Sequence, residues 1–256
     1  MHLQAPQPDE VGRPGSAVAR LRGTTAGPGP VLAEIKLRRV APPIGHSAPK
    51  VAQLPAISGC VSNYANLYAV HIRPGTRTDA EPIAELHTRS WLTAYAGIMP
   101  AGYLNGPLLD ERKLMWSTRL ATVAAEPDHA RCLLVAVDGD ALLGFAYLVA
   151  GNDGRILLDN LHVQPERKQS GIGRQLVYHS FGWASEHHPG KTVYLEVLRD
   201  NVAAITFYRR LDGRPTKEFM ERFPAGFELP VVEYTWDPDI VRILADNRST
   251  TDRLAT

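Results

Sequence analysis

"LHVQPERKQSGIGRQL", residues 161–176, runs from an apolar segment through a proline and a basic cluster to two glycines one residue apart. A helical pattern follows at once, with Ile172, Leu176, Val177, Phe181 and Ala184 on a 3.6-residue period. Upstream, "RILLDNLHV" (155–163) reads as a strand. Strand, glycine loop and helix in succession make an α/β unit. The start of a helix leaves N–H groups unpaired and carries the positive end of the helix dipole. Gly171 and Gly173 place no Cβ in the way of an approaching group, and Lys168 and Arg174 add charge. The loop therefore suits a phosphate or pyrophosphate. The same glycines also serve a tight turn with no ligand. Two common phosphate loops do not fit. No Lys-Ser/Thr pair follows Gly173, as a Walker loop requires, and position 176 is Leu where a dinucleotide fingerprint needs Gly or Ala.

Reading outward, "LYAVHIR" (67–73) is a strand and "AEPIAELHTRSWLTAYAG" (80–97) a helix, with Asp79 as its N-cap and Pro82 in its first turn. "PLLDERKLMWSTRLATVA" (107–124) is a second helix. "RCLLVAVDGDALLGFAYLVA" (131–150) is a hairpin turning through Asp138-Gly139. After the glycine-loop helix come a strand at "TVYLEVL" (192–198), a short helix at "NVAAITFYRRL" (201–211), and strands at "RPTKEFMERF" (214–223) and "FELPVVEYTW" (227–236). The order β-α-α-β-β-β-α-β-α-β-β predicts a mixed sheet with helices on both faces. The domain spans 66–237, and 238–256 reads as a peripheral tail.

Residues 1–65 hold nine of the twenty prolines and sustain no period, so they read as a disordered or non-native extension. Asp9, Glu10 and Glu34 are unlike a transit peptide. Translation from a GUG codon at Val61 is a second origin for the mature N-terminus. A net charge of +1 argues against nucleic acid or a membrane surface as partner. No apolar run approaches the roughly 20 residues that span a bilayer. Cys60 and Cys132 have no metal-ligand spacing, which suggests reduced thiols and a cytoplasmic setting, with no metal.

The opening stretch resembles motif A of the GNAT superfamily of acetyl-CoA-dependent N-acetyltransferases: a strand closing on Val163-x-Pro165, then Lys168, Gly171 and Gly173 ahead of a helix. Lys168 replaces the usual Gln or Arg and keeps the charge. Asn201, Ala204, Phe207 and Tyr208 resemble that family's motif B. The resemblance covers about 67–236 and implies the GNAT acyl-CoA N-acyltransferase fold, with a sheet that splits after the strand before the glycine loop.

By resemblance, acetyl-CoA is the co-substrate. Its pantetheine would pair with the backbone of Leu161, His162 and Val163. Its pyrophosphate would meet the amides of Gln169, Ser170, Gly171, Ile172, Gly173 and Arg174, with the Lys168 side chain beside them, and Asn201 would contact the cofactor from the next loop. The acceptor, a small-molecule or peptide amine, would attack the thioester directly. An amine of pKa about 10 must lose a proton first, so a base is needed. Asp159 and Glu196, on the strands flanking the split, are the candidates, with an ordered-water relay as the alternative. Tyr208 matches the family's acid, and its other reading is packing beside Phe207. Trp91 and Tyr95 either line the acceptor pocket or pack the core. His87 reads as a solvated or capping group, and His162 as contributing backbone with its ring turned away from Asp159. A non-catalytic acyl-CoA sensor and a longer-chain acyltransferase are the alternative functions. Exposed sheet edges in such folds often pair into homodimers.

Overall fold

A computed structural model of the chain describes residues 70–123 and 129–248. The expected extension 1–65 lies outside them. Seven strands form one mixed sheet: β1 (His71–Pro74), β2 (Arg131–Asp138), β3 (Ala141–Ala150), β4 (Ile156–Val163), β5 (Val193–Leu198), β6 (Arg214–Arg222) and β7 (Glu228–Trp236). Their order across the sheet is β1-β2-β3-β4-β5-β7-β6. Helices α1 (Ala80–Ala94), α2 (Ala101–Leu104), α3 (Leu108–Val123), α4 (Ile172–His187), α5 (Val202–Arg209) and α6 (Pro238–Asp246) complete it. The expected α/β order holds, with α2 and α6 added.

Period-2 burial assigns the two faces. Leu134 and Ala136 of β2 pack with Leu176, Val177 and Phe181 of α4, whereas Leu133 and Val135 pack with Ile83 and Leu86 of α1 and Trp116 of α3. Gly144 of β3 brings the start of α4 close: a Cβ there would come within 2.9 Å of the His162 carbonyl and 3.1 Å of Leu176. The glycine loop is thus pinned over the end of β4.

Among the described strands β4 and β5 are the one parallel pair, and they pair only at Ile156–Val193 and Leu157–Tyr194. Beyond Leu157 they diverge, while β4 stays laddered to β3 as far as Val163 and β5 to β7 as far as Leu198. This is the expected split. Tyr147 pairs with Asn160 and Leu148 with Leu158, so Asp159 is the extra residue of a β-bulge.

Three expectations change. Asp79 does not cap α1 with its side chain; it closes a 3-10 turn that begins after Thr76, accepting the Thr76 N–H at 2.6 Å and a two-pronged contact from Arg73. The bulge resets the alternation along β4, so Asp159 and His162 face the same layer instead of opposite ones. The segment 238–246 is not a peripheral tail. Asp237 and Pro238 start α6, and Val241, Leu244 and Ala245 are buried in the α4-side core. No helix among the described residues is long and apolar enough to cross a membrane.

If α6 belongs to the core, Leu244→Ala should lower stability by about 2–3 kcal/mol, read as a lower midpoint in urea unfolding of the full chain. An unchanged midpoint would place α6 outside the cooperative fold.

Candidate active site

The split is built from three converging pieces. The glycine loop supplies the first. Gln169 and Gly171 both have left-handed backbones (φ +66° and +89°), and the Ser170 hydroxyl donates to the Arg167 carbonyl at 2.6 Å. The first intrahelical bond runs from Gln175 N–H to Gly171, which leaves the amides of Ile172, Gly173 and Arg174 without acceptors inside the helix. Lys168, Gln169, Ser170 and Arg174 are exposed around them. A Cβ on Gly173 would lie 3.5 Å from Phe207 and 3.6 Å from Val163, so loop, β4 end and α5 meet at this glycine.

The exposed edge of β4 is the second piece. Gln164 N–H donates to Leu143 on the β3 side. Alternation then turns the amides of Leu161 and Val163 toward the split, where β5 offers no partner. The third piece is α5. Asn201 caps it, its Oδ1 accepting from Ala204 N–H at 3.2 Å, which leaves the Asn201 NH₂ as a donor. Tyr208 is buried against Phe207, Tyr234 and Trp236. Burial, and then the nearby Tyr95 phenol, raise its pKa above the ordinary value, so it stays protonated at neutral pH.

The two carboxylate candidates differ sharply. Asp159 is 2% exposed and fully engaged: Arg119 and the Asn160 amide each donate to its Oδ2 at 2.8 Å. A carboxylate held by a guanidinium is a poor base. Glu196 is half-buried, and its Oε2 has no hydrogen-bond partner among the described residues. It sits directly across from Glu233, which is itself held by Arg155 at 3.1 Å and by Thr216 at 2.8 Å. Burial, and next the Glu233 charge, push Glu196 from 4.5 up to about 7. Two neighbouring carboxyls with unequal support are a common way to poise one near neutrality.

Behind β4 lies a layer that the sequence does not reveal. His87 is wholly buried, not solvated, and Trp116 Nε1 donates to its Nδ1 at 3.1 Å. The neutral ring therefore carries its proton on Nε2. The His162 ring packs 4.5 Å from that of His87, and its Nδ1 lies 2.9 Å from the Ser90 hydroxyl. Burial, then the Arg112 and Lys168 charges, hold His162 down to about 3, so it is neutral. Trp91 is a buried wall at 1% exposure, packed with Met99, Leu108, Leu198 and Phe223, and Tyr95 stands edge-on to it at 5.0 Å. An open cleft of about 600 Å³ between α2 and the β6–β7 turn is lined by Tyr103, Leu108, Glu111 and Phe227. It touches none of the split residues, but it backs onto the Trp91 cluster through Leu108 and Phe227. No cluster of His, Cys, Asp and Glu suited to a metal occurs among the described residues.

Comparison with known proteins agrees with this fold. Residues 87–213 match the model of the acetyltransferase (GNAT) family, a span that takes in the glycine loop, Glu196, Asn201 and Tyr208. Streptothricin acetyltransferase of Streptomyces lavendulae is 34% identical over 87 residues, 34% of this chain and 45% of that protein. The uncharacterized N-acetyltransferase YuaI of Bacillus subtilis is 27% identical over 178 residues, 67% of this chain and 94% of that one. The fold is shared with paia N-acetyltransferase of Thermoplasma acidophilum, solved with coenzyme A (TM-score 0.52, 21% identity, 66% of this chain, 99% of that one). It is also shared with yncA of Salmonella typhimurium, solved with acetyl-CoA (0.51, 21%, 67% and 95%).

A carboxyl raised on folding favours the folded state below its unfolded pKa of about 4.5, and that contribution is lost as pH rises through about 7. Glu196→Gln removes the buried charge. The variant should therefore melt several degrees above the parent at pH 8 and level with it near pH 4. Equal melting temperatures at both pH values would contradict the burial of this charge.

Proposed function

From a chain that carries a domain of the GNAT acetyltransferase family, we propose that it transfers an acetyl group from acetyl-CoA to a primary amine by direct attack within the β4–β5 split. The family makes the protein an acyltransferase; the donor, the acceptor class and the residue roles are our reading. The observation that carries it is the divergence of β4 from β5 after two residue pairs, next to a helix start with three free amides.

The residues present suit such a donor. The amides of Leu161 and Val163 would pair with an extended pantetheine as an added strand does. The amides of Ile172, Gly173 and Arg174, with Lys168 beside them, would hold the pyrophosphate. The side-chain NH₂ of Asn201 would donate from the α5 side. Acetyl-CoA would supply an activated carbonyl and a thiolate leaving group. At that carbonyl a strand amide at Leu161 is a suitable oxyanion donor.

Glu196 is the base in this reading. It titrates near 7, so at neutral pH a useful fraction is ionised and can take the ammonium proton of the acceptor, directly or through a water. Asp159 is left out of that role because Arg119 occupies it; it positions the bulge. Tyr208 is the acid. Its raised pKa makes it a proton-bearing donor to the departing sulfur at every working pH. A buried thiolate is more basic than one in water, which narrows the mismatch between the two.

The test is thioester consumption by the full chain against a panel of primary amines, alongside calorimetric titration with acetyl-CoA and ATP. We expect micromolar acetyl-CoA binding, with ATP inert. We expect kcat/KM to rise with pH through about 7, and Glu196→Gln to lower it about 100-fold or more and flatten that limb. A parent-like pH limb in the variant would remove Glu196 as base. Tyr208→Phe should reduce kcat at least tenfold and leave the acetyl-CoA Kd within about twofold. Equal loss of both would mean that the tyrosine only packs. Tight binding with no amine consumed would favour a non-catalytic acyl-CoA module.

A further inference from the structure

β6 closes one side of the sheet and is mostly exposed along its length. Its inner side is laddered to β7. Arg199 N–H donates to the Pro230 carbonyl, so alternation turns the even-numbered backbone groups of β7 toward β5 and the odd-numbered ones toward β6. Lys217–Glu233, Phe219–Val231 and Glu221–Leu229 are therefore the hydrogen-bonded pairs of the β6–β7 ladder. The bond from Phe223 N–H to the Phe227 carbonyl continues the series. The N–H and C=O groups of Glu218, Met220 and Arg222 point the other way, out from the open edge. Such a row is a template for another strand.

Edge strands are commonly guarded by charge and proline, and β6 carries both. Pro215 sits before the bulge at Thr216, which leaves the stretch 217–222 regular. A guard needs only charge, and here the charges also have an order. Glu218 and Arg222 flank Met220 on one face of the strand, and Lys217 and Glu221 flank Phe219 on the other. Each triplet, read antiparallel against itself, sets an acid opposite a base. Met220 at the centre of the first is 57% exposed, a large apolar side chain left in water.

We propose that β6 pairs with β6 of a second copy of this chain, antiparallel about a twofold axis at Met220, so that two seven-stranded sheets become continuous. Residues directly opposite in an antiparallel pair share a face, so a twofold must set even-numbered residues against even-numbered ones. The register centred on Met220 satisfies every outward backbone group of the stretch: Glu218 with the partner's Arg222, Met220 with the partner's Met220, and Arg222 with the partner's Glu218. A register centred on Phe219 would instead set Arg222 against Thr216, at the bulge. The side chains favour the same choice. A Glu218–Arg222 pair stands on each side of the two methionines, and Lys217 lies diagonal to the partner's Glu221, within reach of a long side chain. Glu218 also accepts from Arg199 at 3.1 Å, and a carboxylate has oxygen lone pairs for both arginines.

Light scattering and sedimentation of the full chain test this. The parent should be a dimer at about 50 micromolar and dissociate on dilution. Glu218→Arg sets arginine against the partner's Arg222, and Arg222→Glu sets acid against acid, so each should weaken association about tenfold or more. The double variant Glu218→Arg/Arg222→Glu restores the opposition and should associate within about threefold of the parent. Both positions are exposed, and circular dichroism checks that each variant is folded. Hydrogen exchange of the parent gives a readout that needs no variant. The amides of Glu218, Met220 and Arg222 should exchange about tenfold faster or more once the dimer is diluted apart, while those of Lys217, Phe219 and Glu221, bonded to β7, should not change. The proposal is overturned by a parent that is monomeric at about 200 micromolar, by a dimer indifferent to both single swaps, or by a folded double variant that stays monomeric. A dimer in which the three outward amides exchange as fast as in the monomer overturns it too.

Discussion

Two residue pairs hold β4 to β5, and the rest of the site depends on their being only two. A parallel pair that laddered to its end would satisfy its own amides and close the sheet. Here each strand is secured on its outer side, β4 by β3 and β5 by β7, so the inner edges can part without loss of order. The unpaired amides that result are a standing demand for a partner, since strand N–H groups are rarely left unmet. Gly144 and Gly173 let α4 and α5 close down on the end of this opening, which brings the anion-suited loop and the Tyr208 helix to its mouth.

Charge is distributed around the opening with the same logic. Asp159 and Glu233 are matched by arginines and stay in structural roles. Glu196 is not matched and is pushed toward neutrality, where a base for amines is most useful at physiological pH. The buried histidines are neutral and packed as aromatic spacers. Arg112 lies over the Trp91 face with its Nε and Nη2 unpaired among the described residues, whereas Arg119, seven residues on, has Asp159.

Much of this is legible in the sequence. The strands with period 2, the α4 stripe, the glycine loop and the element order can all be read from residue types. The bulge at Asp159 cannot, because no glycine or proline marks it and it arises from register against β3; it is what turns Asp159 and His162 to one side. His87 misleads for a related reason: its partner Trp116 comes from another helix, and burial of a histidine depends on that meeting. Two further features have a signal in the sequence that their surroundings obscure. Asp237-Pro238 followed by Val241, Leu244 and Ala245 is a helix-start signal with an apolar face, masked by the polar residues around it. Arg112 falls on the i, i+4 stripe between Leu108 and Trp116, where a charge is out of place.

Hydrogen exchange on the full chain, with and without acetyl-CoA, tests most directly whether the split is where the donor lies. Saturating acetyl-CoA should slow exchange in 159–175 and in 193–204, with Leu161, Val163 and the amides 172–174 the most protected, and leave 100–108 and 225–229 unchanged. Protection centred on the α2 and β6–β7 cleft, with exchange at the split unaltered, would contradict this account of the site.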